Sequence, residues 1–155
     1  KGGYFINTAE QKIYTIGFTG KSAEEFFTIL KRKGVKILLD IRLNNVSQLA
    51  GFTKGKDLSY FVKAILDGQY YHITDLAPTK ELLKKYQADG NWQSYEKELI
   101  SPLEKRIVEK KIEPHLLKGP TVLLCSEKTA EKCHRRLTAE YLQKKILTNY
   151  TIEHL

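Results

Sequence analysis

Short apolar runs, each followed by a segment of helical periodicity, constrain this chain more than any other feature. Residues 13–18 (IYTIGF) are too short and too rich in β-branched and aromatic side chains for a helix, and read as a buried strand. After the turn Thr19-Gly20-Lys21 comes Ser22-Ala23-Glu24-Glu25, a capping box. In it the serine hydroxyl and the glutamate carboxylate each satisfy a free amide of a helix's first turn. Phe26, Phe27, Ile29 and Leu30 give that helix an apolar face, and Gly34 stops it. Residues 35–41 form a second buried strand. Strand–helix–strand is the unit of parallel sheets, because parallel neighbours need a crossover between them.

The remainder repeats the theme. Residues 43–56 are polar, with Asn44, Asn45, Ser47, Gly51 and Gly55 and no period, and read as a long loop. Leu58, Phe61, Val62, Ile65 and Leu66 recur at helical spacing and Gly68 ends that helix; residues 70–73 are a third strand. A brief helix follows around Leu82, Leu83 and Tyr86. Beyond Gly90, residues 92–112 predict a longer helix that Pro102 kinks or splits. Residues 121–125 are a fourth strand, residues 130–146 the last helix with Thr129 as N-cap, and residues 150–155 a fifth strand. The expectation is one α/β domain over residues 1–155, a three-layer α/β/α architecture with a mainly parallel sheet of about five strands. Residues 1–10 are expected to be a flexible or non-native extension.

Composition enters through what it excludes. At 155 residues, 41% hydrophobic and 28% charged, the chain has the profile of a globular domain rather than a disordered one. No run approaches the roughly 18 apolar residues of a membrane helix, and no basic-then-apolar leader opens the chain, so neither membrane insertion nor secretion is expected. Two cysteines are too few for a disulfide framework and favour a reducing, cytoplasmic setting. The 26 lysines and arginines outnumber 18 acids, a net charge of +8. Such a surface attracts an anionic small molecule or nucleic acid, and serves solubility equally well.

In sheets of this kind ligands bind beyond the carboxyl ends of the strands. Those ends carry Gly17, Phe18, Thr19 and Gly20; Asp40 and Arg42; His72 and Asp75; then Cys125, Ser126 and Glu127. Cys133, His134, Arg135 and Arg136 follow in the last helix. Gly17-x-x-Gly20-Lys21-Ser22 falls short of a phosphate loop, which needs four residues between its glycines. Asp40 and Arg42 flank one residue and so share a face. They form either a structural ion pair or a carboxylate-held guanidinium that clamps a carboxylate or phosphate.

Cys125 and Cys133 with His134 form C-x7-C-H. A helix N-terminus with nearby arginines stabilises a thiolate, which makes Cys125 the preferred reactive thiol. The same residues fit inert core cysteines, a disulfide, or a zinc site whose fourth ligand would come from His72 or an acid. Glu127 is a general acid or base, or a helix-dipole acid; His134 is a proton carrier or a half-exposed surface residue. The candidate catalytic set is Cys125, Glu127, Cys133 and His134, and the candidate binding set Gly17, Phe18, Asp40, Arg42, Ser126 and Arg135. No cofactor or metal is assigned.

These residues carry a family likeness. Tyr14-Thr15-Ile16-Gly17-Phe18, Leu39-Asp40-Ile41-Arg42, Gly51-Phe52, and Leu123-Leu124-Cys125-Ser126-Glu127 with Cys133-His134-Arg135 together resemble the family called domain of unknown function 488, small prokaryotic α/β proteins. The likeness runs from about Tyr14 to Leu155. It implies a cytosolic protein whose named residues share one pocket, and transfers no reaction. Two stretches depart from the family's pattern: Asn44-Asn45-Val46 where a proline is common, and Leu76-Ala77-Pro78-Thr79 where a glycine-rich turn is common. Two functions are weighed. One is a pocket, enzymatic or enzyme-like, for a phosphorylated or nucleotide-type small molecule. The other is a nucleic-acid-binding module using Lys80, Lys84, Lys85, Lys105, Arg106, Lys110 and Lys111, with Trp92 and Tyr95 stacking on bases. A purely structural or interaction domain would leave Arg42 and Glu127 without a role.

Overall fold

Five apolar runs become five strands: β1 (Gln11–Gly17), β2 (Ile37–Asp40), β3 (Gln69–His72), β4 (Thr121–Cys125) and β5 (Tyr150–His154). They form one sheet in the order β3-β2-β4-β1-β5, and every pairing is parallel. The expected mainly parallel sheet is therefore wholly parallel. The computed structural model describes residues 11–46 and 50–155. Residues 1–10, where the sequence predicts an extension, and residues 47–49 of the polar stretch lie outside the described residues.

Among the described residues six α-helices cover the two faces: α1 (Ala23–Arg32), α2 (Gly55–Leu66), α3 (Lys80–Asp89), α4 (Trp92–Arg106), α5 (Val108–Lys111) and α6 (His134–Lys145). Successive strand residues point to opposite faces. Ile16, Leu38, Val122 and Leu124 pack with Phe26, Phe27, Leu30, Leu58 and Val62 of α1 and α2. Ile13, Leu39 and Leu123 pack on the other side with Leu103, Ala139 and Leu142 of α4 and α6. This is the three-layer arrangement. The capping box forms as read: Ser22 Oγ accepts from the Glu25 N–H at 3.1 Å, and Glu25 Oε2 from the Ser22 N–H at 3.0 Å. No helix among the described residues is long and apolar enough to cross a membrane.

Several boundaries differ from the sequence reading, each for a local reason. The polar stretch is not all loop, since Gly51–Thr53 forms a 3-10 turn and α2 begins at Gly55. Asp67 (φ 49°), not Gly68, takes the left-handed conformation that ends α2. Gly68 serves a close approach instead, because a Cβ there would overlap the Lys36 carbonyl. Pro102 sits inside α4 without dividing it, and the break between α4 and α5 falls at Ile107, whose φ is 49°. The last helix starts at His134 rather than at residue 130, with Cys133, not Thr129, as its N-cap.

Register places the site. Asp40 lies beside Leu124, and Gly17 beside Cys125, so the carboxyl ends of β2, β4 and β1 open at one level of the sheet.

Candidate functional site

At the end of β2 the alternation of strand side chains sends Asp40 and Arg42 to one face, and they meet there. Arg42 Nε donates to Asp40 Oδ1 at 2.8 Å and Nη2 to Oδ2 at 2.7 Å, a bidentate pair with the arginine 4% exposed and the aspartate wholly buried. Tyr70 donates its hydroxyl to Oδ2 at 2.6 Å, and Arg42 Nη2 also reaches the Thr53 carbonyl at 2.6 Å. The guanidinium lies over the Phe18 ring, 5.2 Å from its centroid. Nη1 alone is left buried without a partner among the described residues. The ion pair holds the arginine in one orientation.

β4 ends in Cys125, whose side chain faces the start of α6. Cys125 Sγ lies 2.8 Å from Cys133 Sγ and 3.2 Å from His134 Nδ1. His134 Nε2 sits 2.8 Å from the Ile41 carbonyl oxygen. That oxygen only accepts, so Nε2 carries the proton and Nδ1 is free to accept from a thiol. The histidine is buried, 7% exposed, which removes its reading as a surface residue. Burial works to raise the Cys125 thiol. The Cys133 S–H, the backbone N–H groups of Glu127 and Ser126 and the Arg135 charge act the other way and hold it below the ordinary cysteine value. Cys133, hydrogen-bonded to Cys125 and itself buried, is pushed up. One thiol is set to ionise and its neighbour to stay protonated.

Beneath these groups lies Arg135, 1% exposed. Its nitrogens are spent on Thr15 Oγ1 (3.2 Å) and on the carbonyls of Glu127 and Lys128. It therefore pins the loop after β4 from below, rather than facing a ligand as its place in the binding set anticipates. Gly17 is part of the same fit, since any Cβ there would overlap the Glu127 carbonyl and the Arg135 guanidinium.

Above the thiols opens a cavity of about 310 Å3. Arg42, Cys125, Ser126, Glu127, Cys133 and His134 all line it, so second- and fourth-strand groups from both candidate sets share one space. Gly17, Phe18, Asp40 and Arg135 act from behind this lining. Asn44, Pro78, Leu83, Tyr86, Gln87 and Lys132, which the sequence does not point to, also line it, as do Trp92 and Tyr95. Trp92 and Tyr95 stack at 5.3 Å and 25°, with Tyr86 4.8 Å from Tyr95. The signal for this wall was Trp92 and Tyr95 themselves, one helical turn apart on α4 and read instead as a nucleic-acid surface. Tyr95 is buried and faces inward. Of the lysine set, Lys85 pairs with Glu98 at 2.6 Å, and Arg106 is engaged by the Asp75 and Ala77 carbonyls. Asn44 and Pro78 belong to the two stretches that depart from the family pattern, and both stand on the cavity's lining.

Among the described residues, Cys125, Cys133 and His134 are the group that could hold a metal, their donor atoms lying within 4.8 Å of one another. Two thiolates on one tetrahedral zinc sit about 3.8 Å apart, given Zn–S bonds of about 2.3 Å. At 2.8 Å the sulfurs would have to spread by about 1 Å to do so. His72 does not join this group and lines a separate cavity with Asp75, Lys111 and Glu113.

The fold and lining describe a parallel α/β protein with a thiol–imidazole pair at the floor of a strand-end cavity. No curated protein and no solved structure matches the chain. A family model does: the chain belongs to the domain of unknown function DUF488 family, matched over residues 22–142. That stretch includes the Asp40-Ile41-Arg42 and Cys133-His134-Arg135 segments but not β1 or β5, so it is narrower than the likeness read from sequence.

Proposed function

We propose that the cavity binds a phosphorylated small molecule and that Cys125 acts on it as a nucleophile. The observation that carries the reading is the setting of Cys125 Sγ. It is 3.2 Å from an imidazole nitrogen able to accept its proton, and it shares a cavity with a rigidly held arginine. In this reaction His134 takes the thiol proton at Nδ1, and the thiolate bonds to phosphorus as the bond from phosphorus to the leaving oxygen breaks. The imidazolium proton goes to that oxygen. Water, losing its proton to Glu127 at the rim, then displaces Cys125 and frees phosphate. Arg42 and Lys132 hold the phosphoryl oxygens, and the Ser126 hydroxyl adds a donor.

The test pairs binding with labelling. Purified protein is melted with inorganic phosphate, sugar phosphates and nucleotides, and its thiols are alkylated with iodoacetamide and located by peptide mapping. The reading expects that compounds which raise the melting temperature also slow alkylation of Cys125. Cys125→Ser retains binding and loses any phosphate release. A Cys125 that labels no faster than Cys133, with no compound shifting the melt, would overturn it.

A further inference from the structure

The cavity lining is of two unlike kinds, and the second is not needed by a phosphate. Arg42, Ser126, Glu127 and Lys132 line it together with the thiols, and so do the rings of Tyr86, Trp92 and Tyr95. Tyr95 is buried and helps fill a small core with Leu82, Leu99 and Leu137. Tyr86 and Trp92 are only half-buried, and the surface they leave uncovered borders the cavity. A wall of rings beside open space stabilises a flat apolar face placed against it. Asn44 and Gln87 line the same cavity. Gln87 carries both a donor and an acceptor, and Asn44, whose Oδ1 accepts from the Val46 N–H at 2.9 Å, keeps its amide donors, which suits a ring with polar edges better than a phenyl ring, whose edges offer neither. At about 310 Å3 the space is at the lower end of small-molecule sites, of order 300 Å3 and upward, and suits one compact ligand.

We infer that the ligand of this cavity is a nucleoside monophosphate. Its base packs on Trp92 and Tyr86 with its edges toward Asn44 and Gln87, and its phosphate is directed to Arg42 and Lys132. The inference deepens the proposed function and rests on the cavity being the ligand site. The base supplies affinity by stacking, which sugar phosphates lack. The phosphate is thereby delivered to the side of the cavity that holds Cys125.

Trp92 is the single tryptophan of the chain, so its fluorescence reports the wall directly. The experiment titrates the full chain with adenosine and cytidine monophosphates, ribose 5-phosphate, phosphotyrosine and inorganic phosphate. It follows Trp92 emission and, in parallel, protection of Cys125 from iodoacetamide. A nucleoside monophosphate is expected to quench Trp92 and to bind roughly 5- to 150-fold more tightly than ribose 5-phosphate, the span that one stacked base supplies. Tyr86→Leu, with circular dichroism to confirm folding, reduces that advantage several-fold; Trp92→Leu abolishes most of it. Ribose 5-phosphate binding as tightly as the nucleotides, or phosphotyrosine binding better, overturns the inference. If inorganic phosphate still protects Cys125 in that case, the anion-binding reading survives alone. If no compound binds or protects, both fail.

Discussion

Replacing Arg42 by methionine separates what this residue does for the fold from what it does for a ligand. The arginine is 4% exposed and makes two hydrogen bonds to Asp40, which has no exposed surface. Methionine fills much of the volume but leaves the buried carboxylate with only the Tyr70 hydroxyl and the residue-42 backbone N–H. Removing one partner of a buried ion pair costs about 3–5 kcal/mol, mostly because the remaining charge is uncompensated. For a chain of this size each kcal/mol lowers the melting temperature by roughly 2–4 °C, so the expected fall is about 6–20 °C. Urea titration followed by circular dichroism measures the cost. Asp40→Asn/Arg42→Met removes both charges and should be more stable than Arg42→Met by at least about 1 kcal/mol. A single variant costing less than about 1 kcal/mol, with costs that simply add in the double, would refute the reasoning. Arg42 would then be a free clamp rather than a strut.

Other outcomes follow from the same geometry. Gly17→Ala should cost about 1–3 kcal/mol in a urea titration, because the new methyl displaces the Glu127 carbonyl and Arg135; a neutral substitution would mean the loop is not wedged there. Arg135→Lys should raise the pH at which Cys125 alkylates, since it loosens the loop whose N–H groups stabilise the thiolate; an unchanged profile counts against that link. Mild peroxide should oxidise the Cys125 thiolate to a sulfenic acid, which Cys133 condenses with to form a disulfide and water. Intact mass then falls by two hydrogens and recovers with dithiothreitol. Recovery of sulfinic acid on Cys125 instead would show that Cys133 does not reach it.

The layers and sheet were legible because apolar period and turn chemistry agree along most of the chain. The run from Ile13 to Phe18, the Ser22–Glu25 capping box and the buried β4 are local signals that tertiary packing leaves intact. The start of α6 was not legible. Helical spacing at Cys133, Leu137 and Tyr141 extends backward through Ala130, whereas the chain closes a separate turn there, with the Cys133 N–H donating to the Ala130 carbonyl, before the helix begins. The pairing of Asp40 with Arg42 followed from strand alternation, but the further partners that fix it, Tyr70 and Thr53, are distant in sequence. Arg135 looked like a ligand residue because an arginine at a helix start is normally exposed, whereas here three backbone and hydroxyl oxygens accept it. The spacing of Trp92 and Tyr95 put them on one side of α4, but that this side meets the cavity is set by packing against α3 and α6.

Cys125 ionises more readily than an ordinary thiol because its surroundings outweigh its burial. The most direct measurement is the rate of iodoacetamide alkylation at Cys125 against pH, read by peptide mass in wild type and in His134→Gln. A lowered pKa means that thiolate is already present as pH rises toward the ordinary cysteine value of about 8.5, so the rate should reach half its plateau below that pH. Cys133 should stay unreactive across the same range. A Cys125 profile centred at or above about 8.5, or one in which Cys133 labels first, would contradict the account.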